Sequence, residues 1–153
     1  MKSTKRIIMR ITLMMLLLGF TAGMAGVCSS NTVRAESKRA KVMMKRYKSL
    51  TKKCKKKYKY NGSQLEMNQD SYKEYTVWDK ELNRVYQEVR KHLSDGSKKK
   101  LKKSQLKWIK KRDKAAKTAT TEWKGGSAET MIYNVALTKE TKKRIRYLIK
   151  NYA

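Results

Sequence analysis

No proline occurs anywhere in the 153 residues, and glycine is confined to seven positions. Without proline a chain has no fixed kinks and keeps every backbone donor, so long unbroken helices are open to it. Lys, Leu, Met, Ala and Glu, all good helix formers, fill much of the remainder. An all-α fold follows from that balance. The length suits one compact domain plus a targeting segment, and the apolar content supports a modest core.

Hydrophobic spacing places the helices. Between Glu36 and Tyr60 the residues Ala40, Met43, Tyr47, Leu50, Cys54 and Tyr58 recur at intervals of three and four, while twelve Lys and Arg occupy other positions. That pattern predicts a basic amphipathic helix. Asn61-Gly62-Ser63 is a turn signal. After it Met67, Ser71, Tyr75, Trp78, Leu82, Val85, Val89 and His92-Leu93 trace a second seam. Residues 66 to 97 carry seven acidic and five basic side chains, a near-neutral helix between strongly basic ones. Ser94-Asp95-Gly96-Ser97 stops this helix and offers capping oxygens to the next. The third seam is Leu101, Gln105, Trp108, Arg112, Ala115 and Ala119, flanked by Ile109 and Ala116. Trp123-Lys124-Gly125-Gly126-Ser127 reads as a loop, from which Ser127 or Thr130 should cap a closing helix through Ile132, Ala136, Leu137, Thr141, Ile145 and Leu148. Short connections make this a small antiparallel bundle of about four helices, its longest hairpin at residues 66 to 120.

The first 35 residues read as a secretory signal: Lys2, Lys5, Arg6 and Arg10 precede an uncharged stretch from Ile11 to Cys28. Val33-Arg34-Ala35 places small residues where a signal peptidase reads, so cleavage is expected after Ala35. Two alternatives remain open, lipidation of Cys28 and retention of the apolar stretch as a membrane anchor. All three put the body of the protein outside the membrane. The expected organisation is a signal over 1–35, a basic helix and turn over 36–63, and a helical domain over 64–153.

Cleavage would remove five basic and no acidic residues, taking the formal charge from +28 to +23. Such a field draws a chain to polyanions, which outside a cell means anionic wall polymer or a membrane surface. Nucleic acid is not expected, since no recognition motif accompanies the charge. After cleavage Cys54 has no partner for an internal disulfide. Its place on the apolar stripe reads as a buried small hydrophobe.

No catalytic constellation is present. The chain has a single histidine, His92, near a helix end, and no metal-ligand spacing or phosphate loop, so no enzyme activity, metal or cofactor is expected. The informative group is polar. Asp79, Asn83 and Tyr86 share one helix face, and Gln105, Trp108 and Arg112 share the face opposite. Carboxylate and amide set against arginine and glutamine would satisfy one another as a structural or binding network.

In order, Glu66-Met67-Asn68-Gln69, Asp79-Lys80-Glu81-Leu82-Asn83 with Tyr86, Leu101, Gln105, Trp108-Ile109, Arg112-Asp113, Gly125-Gly126-Ser127, Leu137-Thr138 and Arg144 resemble the LprI-like lysozyme-inhibitor N-terminal domain, a small exported helical domain of bacteria. The resemblance covers roughly residues 64 to 150. It implies a non-enzymatic binding protein of the cell envelope that inhibits a lysozyme-type muramidase. Charge alone supports a different reading, an electrostatic binder of wall polymer or membrane surface. The family's cysteines are replaced here by Asp70, Ala115-Ala116 and Ala136, and the resemblance sets Cys54 where its first cysteine stands. The disulfides that the resemblance implies are therefore missing, and packing with the polar network must hold the helices instead.

Overall fold

The computed structural model describes the backbone from Ser29 and the side chains from Lys38 to the C-terminal Ala153. Four helices account for most of it: α1 (Ser29–Lys57), α2 (Gln64–Lys91), α3 (Asp95–Ala119) and α4 (Glu129–Tyr152), with one 3₁₀ turn at Thr121–Trp123. No strand occurs among the described residues. The expected signal lies outside them as far as Cys28, and the expected cleavage point after Ala35 falls in the first turns of α1. Among the described residues no helix is long and apolar enough to cross a membrane.

Local chemistry starts two of these helices. Ser63 accepts the Glu66 N–H at 3.3 Å while Glu66 Oε2 accepts the Ser63 N–H at 2.8 Å, a reciprocal cap for α2. Gly62 precedes it at φ +125, a backbone conformation that favours glycine, and a Cβ there would push the Glu66 carboxylate, 2.7 Å away, out of its capping position. Ser94 caps α3 by accepting the Ser97 N–H, and Gly96 lies inside the first turn of that helix. For α4 the expectation was wrong: neither Ser127 nor Thr130 caps it, and its N-cap Ala128 has no side chain to offer. The missing acceptor comes from α2, where Asn68 Oδ1 accepts the Met131 N–H at 3.1 Å and Asn68 Nδ2 donates to the Ser127 carbonyl at 2.9 Å. A cap supplied from 63 residues away ties helix formation to tertiary packing.

Asn31–Ala153 forms one unit around a single core. Contacts such as Arg46–Glu81 and Tyr60–Glu74 make α1 antiparallel to α2. The pairs Asn68–Met131 and Ser71–Asn134 make α4 run parallel to α2. The closest helix approaches are α2 with α4 and α3 with α4, so the last helix lies along both arms of the α2–α3 hairpin. The α1 stripe is as the spacing predicts: Met43, Tyr47, Cys54 and Tyr58 are buried and Ala40 and Leu50 pack against them. On α2, Trp78, Leu82, Val85 and Val89 are buried, each side chain contributing about 1.5–3 kcal/mol by leaving water.

The α3 seam needs correcting. Only Leu101 and Ala116 are buried on that helix, whereas Ala115 and Ala119 face solvent. Ala119 stands 18 residues from Leu101, five full turns and hence the same face, so the period holds; in the last turns burial passes to the flanking Ala116 and does not reach Ala119.

Candidate functional site

The polar network divides into two halves. In the first, Arg112 on α3 reaches Asp79 on α2, with Nη1 3.5 Å from Oδ1. Arg112 Nε also donates to its neighbour Asp113 at 2.8 Å. Asn83 is exposed and donates to Asp79 Oδ2 at 3.3 Å, so it braces the carboxylate from its own helix. Arg112 is nearly covered, with 12% of its side chain exposed, while Asp79 keeps 37%. The pair is therefore only half-buried, and Asp79 retains contact with water.

Gln105 does not join that half. Its Oε1 accepts from Arg144 Nε of α4 at 2.9 Å, and Ser104 Oγ accepts from Arg144 Nη2 at 3.1 Å. Arg144 itself is buried. Trp108 connects the halves, its ring centroid 5.2 Å from the Arg112 guanidinium and 5.7 Å from that of Arg144. Two cations so share the electron-rich faces of one indole. Tyr86 is half-buried on the Arg144 side and packs against the core. Gln105 faces α4, which takes the place expected for Asp79 and Asn83.

Two carboxylates outside this set hold α1 in place. Glu81 accepts Arg46 Nε of α1 at 2.9 Å and Arg84 Nη2 at 2.8 Å. Burial alone would push the Glu81 carboxyl up, but hydrogen bonds from Arg84 and Arg46 outweigh it and hold the group below the usual carboxylate range. Glu74 accepts from Trp78 Nε1 at 3.1 Å and from the Tyr60 hydroxyl. Burial and the Glu74 bond together push the Tyr60 hydroxyl far up, so it stays a donor. Glu74 and Glu81 lie seven apart, on either side of Trp78 and facing a helix rich in Lys and Arg. That juxtaposition was the signal available in the sequence.

The Cys54 thiol is free and buried. Burial first, and Glu74 second, raise its pKa, which removes the thiolate that reactive cysteines need. His92 is exposed and stands 3.6 Å from Glu88 at the end of α2. Among the described residues no group of three His, Cys, Asp or Glu is placed to hold a metal ion.

The family description "Lysozyme inhibitor LprI" matches residues 54–148. The chain belongs to the LprI family. No curated protein and no solved structure matches it. The matched span opens at Cys54, ten residues before the point where the motifs begin to resemble the family, and so takes in the end of α1. Several LprI-like motif residues have a visible structural task here. Asn68 caps α4, Gln105 and Arg144 join α3 to α4, and Arg112 joins α3 to α2. In this member, hydrogen bonds and ring contacts bridge the helices around a free Cys54.

Proposed function

We propose that this chain is an exported, non-enzymatic binding protein that inhibits a lysozyme-type muramidase at the cell envelope. The observation that carries this reading is the LprI match over residues 54–148. The shape of the charge narrows the contact surface. Many muramidases are basic, and among the four helices of this molecule near-neutral α2 repels them least. On that helix Leu65 and Tyr72 are exposed and lie two turns apart on one face, giving an apolar and aromatic contact without added positive charge.

The test is wall lysis timed with basic and with acidic muramidases in the presence of residues 36–153. Slowed lysis is expected, and Leu65→Ser with Tyr72→Ser should relieve it while helicity is unchanged. No slowing of either enzyme class rejects the reading. Export is tested separately: mass spectrometry of the envelope fraction should find a mature chain beginning at Glu36. A retained Met1 or a lipidated Cys28 would replace it with an anchored form.

Exposed lysines favour a second reading, electrostatic attachment to wall polymer or membrane. On α3 alone Lys99, Lys100, Lys102, Lys103, Lys107 and Lys110 are exposed. Such attachment weakens by orders of magnitude between about 50 and 200 mM salt, because counterion release drives it. Binding to purified wall that ignores salt rules it out.

A further inference from the structure

A cleft of about 360 Å³ opens between α1, α2 and α4, away from the Asp79–Arg112 and Arg144 clusters. Its volume is within the range of small-ligand sites, about 300–1,000 Å³. One face of α4 lines it, with Thr138, Lys139, Lys142, Lys143 and Arg146 at helical spacing; Tyr47 of α1 and Glu74 of α2 complete the walls.

The charges in this cleft are unbalanced. Lys143 is taken by Glu140 at 2.6 Å, and Glu74, the carboxylate of the wall, is occupied by Tyr60 and Trp78. Lys139, Lys142 and Arg146 have no acidic partner among the described residues. Two of them stand on aromatic rings: Lys142 Nζ lies 4.8 Å from the Trp78 centroid and Arg146 5.9 Å from that of Tyr47. Cations on adjacent turns of one helix repel each other, and concave walls focus their field on the space between.

We propose that this cleft is a binding site for a phosphate-ester anion, of the kind carried by wall phosphodiester polymers and by phospholipid headgroups. A tetrahedral oxyanion presents acceptors in several directions at once, which suits two ammonium groups and one guanidinium converging from successive turns of α4. The site requires neither the inhibitor role nor the lysine faces of α1 and α3.

The experiment compares binding of poly(glycerol phosphate) and of phosphatidylglycerol vesicles to residues 36–153 at a fixed salt of about 150 mM, where the Debye length is about 8 Å and diffuse attraction is largely screened. Lys142→Gln with Arg146→Gln should weaken binding about tenfold or more, as expected for loss of two charge-assisted contacts. Lys80→Gln with Arg90→Gln removes the same charge from exposed positions on α2 and should change affinity less than about twofold. The probe whose binding depends on the cleft identifies the source of the phosphate. Equal weakening by the two double variants, or no saturable binding of either probe, overturns the proposal.

Discussion

Glu81 and Arg144 are both buried charges that bridge helices, yet their surroundings are opposites. Glu81, with 3% of its side chain exposed, receives two arginines, one from α1 and one from its own helix. Arg144, itself 6% exposed, has no carboxylate partner among the described residues. Gln105 and Ser104 accept from it, and its guanidinium lies over the rings of Trp108 at 5.7 Å and Tyr147 at 4.9 Å. Burial lowers the Arg144 pKa, but guanidinium stays charged in proteins. The difference follows from supply. With 40 basic and 12 acidic residues in the sequence, arginines are plentiful for a buried acid such as Glu81, while carboxylates are scarce and Arg144 is stabilised by neutral acceptors and aromatic faces.

The largest effect should come from stranding the acid. Replacing both Arg46 and Arg84 by Ala leaves Glu81 buried without a cation, at a cost of about 3–5 kcal/mol in denaturant melts. A loss below about 1 kcal/mol would mean that water reaches Glu81 and that the two sites are more alike than their geometry indicates.

Next is the arginine. Arg144→Ala should cost about 2–4 kcal/mol, since it opens a gap beside Trp108 and leaves Gln105 and Ser104 without their donor. Arg144→Met should stay within about 1.5 kcal/mol of the parent, because no carboxylate is stranded by removing this charge. Equal losses for Ala and Met would show that the cation itself, and not its volume, holds α3 to α4.

Acid should separate the two sites as well. The folded-state pKa of Glu81 is depressed, so its stabilisation is fully present above the unfolded carboxyl value of about 4.3 and is lost as pH falls through the lower folded value. The denaturant midpoint is expected to drop below about pH 4.5 and to drop less steeply in Glu81→Gln. Arg144→Met should leave the acid limb unchanged.

The smallest effect belongs to the half-exposed pair. Arg112→Ala should cost about 1–2 kcal/mol, through lost packing on Trp108 and Tyr75, because Asp79 keeps its water when the arginine is gone. Lys110→Ala, on the exposed side of the same helix, should change stability by less than about 0.5 kcal/mol. A double-mutant cycle between Asp79 and Arg112 with no coupling would confine the α2–α3 contact to apolar packing.

Much of the fold was legible because its causes are local. Four proline-free periodic stretches specify four helices, and Asn61-Gly62-Ser63 and Ser94 mark two of their boundaries through caps that span three residues. The burial of Met43, Tyr47, Cys54 and Tyr58 follows from one stripe. The candidate network was legible only by face. Spacing placed Asp79, Gln105 and Arg112 toward a neighbour, but it could not say that Gln105 would meet Arg144 while Arg112 met Asp79.

The sequence by itself determined the helices, the buried thiol and the excess of positive charge, because periodicity, cap residues and charge are carried by neighbours along the chain. Only the tertiary structure decided that α4 lies along both α2 and α3, that Asn68 caps a helix 63 residues away, and that Lys139, Lys142 and Arg146 converge on one cleft. The 3.6-residue period defines which side of a helix is buried, but it carries no label for the helix that buries it. That choice belongs to side-chain volume and hydrogen-bond satisfaction across the whole core.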